Sequence, residues 1–204
     1  MADVLRIIQI VFLSIVFMLA LLLAGNALRY FNFDPSYSFL RLKQEAVATG
    51  WYLPAYYAHV LTGGIILVIG FIQLMPAVRV RYKALHRWLG YFYVMGILFF
   101  SAPGGLVMSF FIHRGPWVLV SFMLQVALWF CFTAQAFKKI RAGDIRQHQF
   151  FMWRSYALTL AAITLRIYIF FTAETYNLAQ PQAYALIAWL SWVPNLMVVE
   201  VWII

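Results

Sequence analysis

The sequence predicts an all-α polytopic membrane protein, a bundle of six transmembrane helices. Hydrophobic residues make up 65% of its 204 residues and only 10% are charged, whereas about a quarter of the residues in soluble domains are charged. The apolar residues form runs of about 20, the length that a helix needs to cross a bilayer. The basic residues are concentrated at the ends of these runs, which is typical of membrane-protein loops.

The six predicted helices follow one another closely and are expected to form a single integral membrane domain over residues 1–204. Their predicted bounds are 4–28, 54–78, 85–112, 116–137, 148–173 and 182–204. Pro103-Gly104-Gly105 interrupts the third helix and should kink it. The connection over 29–53 contains the turn signal Asp34-Pro35-Ser36 and a candidate interfacial helix around 39–49.

The first apolar run has two interpretations. Arg6 precedes it, and Ala24-Gly25-Asn26-Ala27 near its end resembles the cleavage site of a signal peptide. The run is about 20 residues long, however, and a signal-peptide core has roughly 7–15. A retained first helix is the favoured prediction, with cleavage as the alternative.

The distribution of Lys and Arg predicts the orientation of the bundle. Four basic residues lie within 79–87 and four within 138–146, whereas the connections on the other side hold Arg114 and a mixed segment with acids. Because basic loops stay in the cytoplasm, both termini are predicted to be cytoplasmic. The expected location is a cell membrane, as a multi-pass protein, with the bacterial inner membrane favoured.

Composition and motifs also disfavour several classes of protein. The single Cys131 excludes an intramolecular disulfide framework and a cysteine zinc cluster. The net charge of +9 comes from helix ends rather than a phosphate-binding stripe, so no nucleic-acid partner is expected. No HExxH or GxSxG motif indicates a hydrolase. Membrane lipid is the expected partner, and a second copy of the chain or another membrane protein are further candidates.

Ionisable groups within apolar helices are costly, so each is a functional hypothesis. In the second helix, His59 and Gln73 share one face with small residues, at steps of four and three. In the fifth helix, His148 and Arg166 share a face with Ser155 in the same way. The alternative is structural, because small residues favour close helix packing and terminal histidines often lie among headgroups.

The sixth predicted helix carries two polar residues, Asn195 and Glu200. Glu200 lies near the cytoplasmic end, at the depth expected for Arg154 of the fifth helix. A pair between them, or between Glu200 and Arg87, would lower the cost of both charges. Both a structural clamp and a role in proton handling are consistent with this pattern.

A weak internal repeat links two helix pairs. Gln73 precedes His86 by 13 residues, and Gln135 precedes His148 by 13 residues. Each amide lies near the end of one helix, a basic loop follows, and the histidine opens the next helix. If the pairs are parallel repeats, His86 and His148 face each other at the cytoplasmic side.

Two histidines from opposing helices of a bundle can ligate a b-type haem. In this hypothesis His86 and His148 are the ligands of the haem iron, and a quinone is the alternative occupant. Gln73 and Gln135 would be supporting groups, and Arg87 or Arg154 would balance the haem propionates. The remaining intramembrane polar residues, His59, Arg166, Asn195 and Glu200, are assigned to the wider polar site.

Four stretches resemble a bacterial family of "predicted membrane proteins", a domain of unknown function numbered 2306. They are AYYAHVLTGGIILVIGFIQL, LHRWLGYFYVMG, HQFFMWRSYALTLAAITLRIY and WLSWVPNLMVVEVW. The resemblance covers most of the chain and implies a membrane protein without an assigned activity. Gly70-Phe71-Ile72-Gln73 departs from the Gly-Pro-x-Gln of the family, so the kink that the family's proline implies is not expected here.

A looser likeness is to ascorbate-type diheme cytochromes b. It implies histidine pairs between helices 2 and 4 and between helices 3 and 5. His86 with His148 fits the second pairing, but helix 4 has no histidine unless His113 serves, so the likeness implies one haem. Three functions therefore remain open: a redox module binding haem or quinone, a small-solute or proton-coupled transporter, and a non-catalytic subunit or assembly factor.

Overall fold

The computed structural model describes residues 2–172 and 181–203, and within these ranges the chain is helical without strands. Six helical segments are long and apolar enough to cross a membrane, as predicted: Val4–Asn32, Tyr52–Leu74, Lys83–Ser109, Pro116–Arg141, Ile145–Thr172 and Gln182–Ile203. We call the end of the bundle that carries the connections 75–82 and 142–144 the basic end.

The six spans and their connections contain ten described α-helices together with shorter elements. They are α1 (Ala2–Leu28), α2 (Gln44–Ala48), α3 (Tyr52–Leu74), α4 (Pro76–Val80), α5 (Lys83–Gly96), α6 (Ala102–Ser109), α7 (Pro116–Arg141), α8 (Ile145–Thr172), α9 (Pro181–Leu190) and α10 (Val193–Ile203). The fourth and fifth spans, α7 and α8, pack against each other, and α8 also packs on α10. The long α1 lies at the periphery against α3, with most of its side chains exposed.

The second span ends earlier than the predicted 54–78. α3 stops at Leu74 because Met75 has an extended conformation, with ψ of 123°. A residue that precedes proline is driven away from helical angles by the proline ring, and Pro76 then opens the short α4. The two helices together cover the predicted range, but a bend separates them.

In the third span the irregularity lies before the predicted kink. A π-helix over Ile97–Ser101 joins α5 to α6, and Pro103 falls in the first turn of α6. Helical backbone angles continue through Ser101 and Ala102 into α6, so Pro103 lies within the span and removes a backbone hydrogen bond that a regular helix would make. The wide π turn lies immediately before Pro103, and it is the only departure from regular helix in this described span.

The sixth span is two helices rather than the predicted continuous one over 182–204. A turn at Ser191 and Trp192 separates α9 from α10, and Pro194 is the second residue of α10. The Asn195 amide bridges the break by donating to the carbonyl oxygens of Ser191, at 3.2 Å, and of Ala157 on α8, at 3.3 Å. Asn195 therefore holds the sixth span against the fifth at this break.

The connection after α1 folds over the end of the bundle opposite the basic end. The predicted interfacial helix at 39–49 is a 3-10 helix, Ser38–Lys43, followed by α2. Leu40 is fully buried there, and the Lys43 ammonium donates to the carbonyl of Phe111 at 3.1 Å. Burial, and next the charge of Arg114, lower the pKa of Lys43.

The centre of the bundle is closely packed where α3, α5 and α8 meet. The buried cluster there includes Ile66, Tyr93 and Tyr156. A side chain at Gly70 of α3 would overlap the Tyr156 ring, so this glycine allows α8 to approach α3. The packed centre separates the basic end from the opposite half.

Candidate functional site

A cavity of about 530 Å³ opens among four spans at the basic end. Its walls come from the last turns of α3 and α7, from α5, from the first turns of α8, and from Arg79 of the short α4. Four of the residues singled out by sequence, Gln73, His86, Arg87 and His148, line this one space. Its volume falls within the roughly 300–1,000 Å³ of small-molecule sites.

Gln73 and His86 form a polar corner of the cavity. The Gln73 amide nitrogen Nε2 donates to the backbone carbonyl of His86 at 2.7 Å, which fixes the orientation of the amide. Its other atom, Oε1, is buried without a partner, and so is Nδ1 of His86. Because buried polar atoms in native proteins are nearly always hydrogen-bonded, this corner is incomplete without a bound molecule or water.

His148 is held on the α8 side of the cavity. Its ring nitrogen Nδ1 lies 2.9 Å from the carbonyl of Ala136 on α7, and since a carbonyl only accepts, Nδ1–H is the donor. This bond fixes the neutral tautomer with its lone pair on Nε2. A histidine held in this way has the orientation commonly found in metal-binding imidazoles.

The charged groups around the cavity are all cationic. Arg79, Arg87 and Arg141 line it, and none of the described residues in its lining is acidic. The nearby Asp144 forms an ion pair with Lys139 at 3.8 Å and accepts from the backbone of Gln147 at 3.1 Å. The potential inside the cavity therefore favours an anionic group.

The remaining wall of the cavity is apolar and aromatic. It is formed by side chains that include Leu74, Val94, Phe137, Met152 and Trp153. A cationic rim over an apolar body suits a molecule that is itself amphipathic, with an anionic end and a hydrophobic or aromatic end.

Two of the residues predicted to support the cofactor lie elsewhere. Gln135 is exposed on the surface of α7 and does not line the cavity. Gln135 directly precedes Ala136, whose backbone carbonyl accepts the hydrogen bond from the His148 ring. The predicted equivalence of Gln73 and Gln135 is therefore wrong at the level of side-chain contacts, although both positions adjoin a histidine.

Arg154, the second such residue, forms the expected pair with Glu200. The guanidinium makes two hydrogen bonds to the carboxylate, at 2.6 and 2.7 Å. It also faces the rings of Phe132 and Phe151, at 5.9 and 5.4 Å from their centroids. The pair joins α8 to α10 outside the cavity, while the alternative partner Arg87 lines the cavity.

A buried network of hydroxyl groups lies directly beyond the cavity. The Tyr93 hydroxyl is 3.0 Å from that of Ser155 and 2.9 Å from that of Thr159. Thr133 contacts the Ser155 hydroxyl at 2.8 Å, and the Trp129 indole donates to Thr159 at 3.0 Å. Sequence spacing had placed Ser155 on the polar face, but nothing in the pattern of α7 indicated Thr133 or Trp129.

The other predicted polar residues lie in the half of the bundle opposite the basic end. The His59 ring nitrogen Nδ1 donates to the carbonyl of Ser101 at 2.6 Å. Arg166 is exposed and donates to the carbonyl of Ala162 at 2.9 Å, and Asn195 contacts Thr164 at 3.0 Å. None of these side chains lines the cavity, and His113 is exposed.

Residues 56–203 match a protein family described as "Predicted membrane protein (DUF2306)". The chain belongs to this family. The matched region contains every described residue that lines the cavity, so the candidate site lies within the family domain.

The chain is also similar to "Ava biosynthesis cluster protein G" of Aspergillus versicolor, with 29% identity over 134 residues. The similarity covers 50% of this chain and 38% of that relative, so the chain spans well under half of the relative's length. No solved structure matches the chain significantly.

Proposed function

We propose that this protein is a membrane redox module that binds one b-type haem in the basic-end cavity. His86 and His148 would be the two ligands of the iron. The observation that carries the proposal is that both histidines line one cavity of about 530 Å³, although 62 residues separate them in sequence. A bundle with histidines on facing helices is an established arrangement for cofactor sites.

The donor set fits such a cofactor. The Nδ1–H of His148 is taken by the Ala136 carbonyl, so its Nε2 is the nitrogen available to iron. Nδ1 of His86 is unpartnered, which leaves this ring without a competing hydrogen bond at that atom. Neither imidazole is engaged with a carboxylate among the described residues.

The charges and apolar walls support the same occupant. A haem carries two carboxylates on a flat apolar ring, and Arg79, Arg87 and Arg141 of the cavity lining supply cations for them. Phe137, Trp153 and their apolar neighbours would face the ring. When bound, a haem iron supplies one-electron chemistry, and a quinone is the alternative occupant that shares this chemistry.

Orientation is part of the proposal. Eight basic residues flank the basic end, within 79–87 and 138–146. By the positive-inside rule this end and both termini would be cytoplasmic, and the cavity would open towards the cytoplasm. A reporter fused after Ile204 should then be active only in the cytoplasm, and a periplasmic signal would reverse the assignment.

The visible spectrum of the purified protein tests the cofactor. Protein expressed with added haem precursor should show a Soret band that shifts on reduction. His86→Ala or His148→Ala should remove the band, whereas the matched variant His113→Ala, at an exposed histidine outside the cavity, should retain it. A colourless wild-type protein that also fails to bind added haemin would reject the haem.

Transport is a second candidate, favoured by the hydroxyl network that continues from the cavity to Trp129. The Trp129 ring lies 6.5 Å from that of His59 in the other half of the bundle, so polar groups extend through much of the span. In this alternative Ser155→Ala would slow proton uptake into liposomes containing the protein, measured with a pH-sensitive dye. An equal rate in variant, wild-type and empty liposomes would exclude it.

A further inference from the structure

The glycines of the membrane spans fall into two kinds. Most are required by packing, because a side chain at their positions would collide with a neighbouring helix. A Cβ atom at Gly96 would lie 2.8 Å from Ile66, and one at Gly104 would lie 2.5 Å from the backbone oxygen of Ala55. These glycines allow helices to approach each other, as is common in membranes.

Gly25, Gly63 and Gly90 are different, and of these three only Gly90, on α5, lines the cavity. A Cβ atom there would meet only Nε2 of Gln73, at 3.6 Å, which is an ordinary contact. Its backbone angle φ is not positive, so conformation does not require glycine either. Glycine in a helix interior is less favourable than alanine, and neither packing nor geometry within the protein compensates for that cost at this position.

Gly90 faces the cavity beside its polar corner. It belongs to the cavity lining and lies one helical turn after His86, on the same face of α5. Gln73 and His86, which carry the unpartnered atoms Oε1 and Nδ1, line the same cavity. The surface here is thus an open stretch of helix backbone next to two polar atoms that need partners.

We propose that the bound ligand packs directly against Gly90, which we call the seat of the ligand. The absence of a side chain at this position determines which molecules the cavity admits. The missing side chain lets a flat ring lie directly against the α5 backbone, one helical turn from His86. Glycine is also used where a ligand approaches the backbone closely. This reason applies at Gly90, where neither helix packing nor backbone conformation requires a glycine. The inference rests on the proposed function only in that the cavity holds a flat, ring-shaped ligand, either a haem or a quinone.

A size series at this position tests the seat. Gly90→Ala should retain the folded yield and lower haemin affinity at least tenfold, and Gly90→Leu should abolish haemin binding while the protein remains monodisperse in detergent. Gly25→Leu is the matched control, because a Cβ at Gly25 also meets nothing within 4 Å but faces outward from α1. Wild-type haemin affinity in a folded Gly90→Leu variant would overturn the proposal.

A labelling experiment separates the seat from the identity of the ligand. Gly90→Cys, in a Cys131→Ser background, should react with N-ethylmaleimide, and bound haemin should block the reaction. Protection by decylubiquinone but not by haemin would keep the seat and reject the haem of the proposed function. A cysteine that does not react, or that reacts equally with haemin and with the quinone present, would show that Gly90 is not the seat.

Discussion

The two halves of the bundle use the same residue types in opposite ways. In the half away from the basic end, His59 is enclosed by Gly104 and Gly105, and its Nδ1 is bonded to a backbone carbonyl. At the basic end, His86 borders an open cavity and its Nδ1 has no partner. Each histidine is followed by a glycine four residues later, Gly63 or Gly90. This shared spacing does not distinguish a structural histidine from a candidate ligand, whereas the packing around the ring does.

The largest effect expected from this comparison is at Gly104. In Gly104→Ala the new methyl group would lie 2.5 Å from the Ala55 carbonyl oxygen, and backbone cannot move aside as a side chain can. Overpacking costs about 1–3 kcal/mol and occasionally more, and we expect a loss of about 3 kcal/mol in the free energy of unfolding, measured by SDS titration.

Gly90→Ala is the control for this substitution, because it adds the same methyl group to the open half. Its free energy of unfolding should equal or slightly exceed that of the wild type, since alanine favours a helix by up to about 1 kcal/mol over glycine. Similar destabilisation of both variants would contradict the division into packed and open halves.

The next effect concerns the clamp between α8 and α10. Removing one partner of a fully buried ion pair costs roughly 3–5 kcal/mol. The Glu200 side chain is 39% exposed, so we expect Glu200→Ala to lose about 1–2 kcal/mol. The double variant Arg154→Met/Glu200→Leu should lose less, because no charge is left without a partner.

Unfolding in SDS of the single and double variants measures this difference. Equal losses in the free energy of unfolding of the two variants would show that leaving the Arg154 guanidinium without its partner has no cost of its own. The pair lies outside the cavity, so haemin binding should survive both changes in the protein that remains folded.

The smallest effect is expected at the boundary of the two halves. Tyr93→Phe removes the hydroxyl that contacts Ser155 and Thr159 and keeps the ring in the cavity wall. Hydrogen bonds between transmembrane helices contribute about 0.6 kcal/mol on average, so we expect a loss of about 1 kcal/mol for the two. A loss above about 3 kcal/mol would mean that the network, and not apolar packing, holds the centre together.

The sequence predicted the large-scale structure well, for a physical reason. Six apolar runs must become helices in a bilayer, because each backbone group has to find its partner within the chain. Local interruptions were less predictable. The bend at Met75 follows from Pro76, whereas the break at Ser191 and Trp192 depends on the contact of Asn195 with another helix. The π-helix ends two residues before its proline.

The candidate site was only partly predictable. The repeat of 13 residues predicted that Gln73, His86 and His148 lie at one end of the bundle, and these three do line one cavity. The same spacing misplaced Gln135, because a repeat in sequence does not specify how far each helix is rotated about its axis. The sequence did not indicate that Arg79 and Arg141 line the cavity, or that Gly90 lacks packing contacts. Both features depend on how far apart neighbouring helices lie at this end of the bundle.

Titration of haemin into the purified protein tests the central claim most directly. We expect one haem per chain, lost in His86→Ala and in His148→Ala and retained in the folded fraction of His59→Ala. The last variant removes the histidine of the packed half and leaves the cavity intact. Binding that depends on His59, or that survives the loss of both His86 and His148, would contradict the assignment of the ligand site to the basic-end cavity.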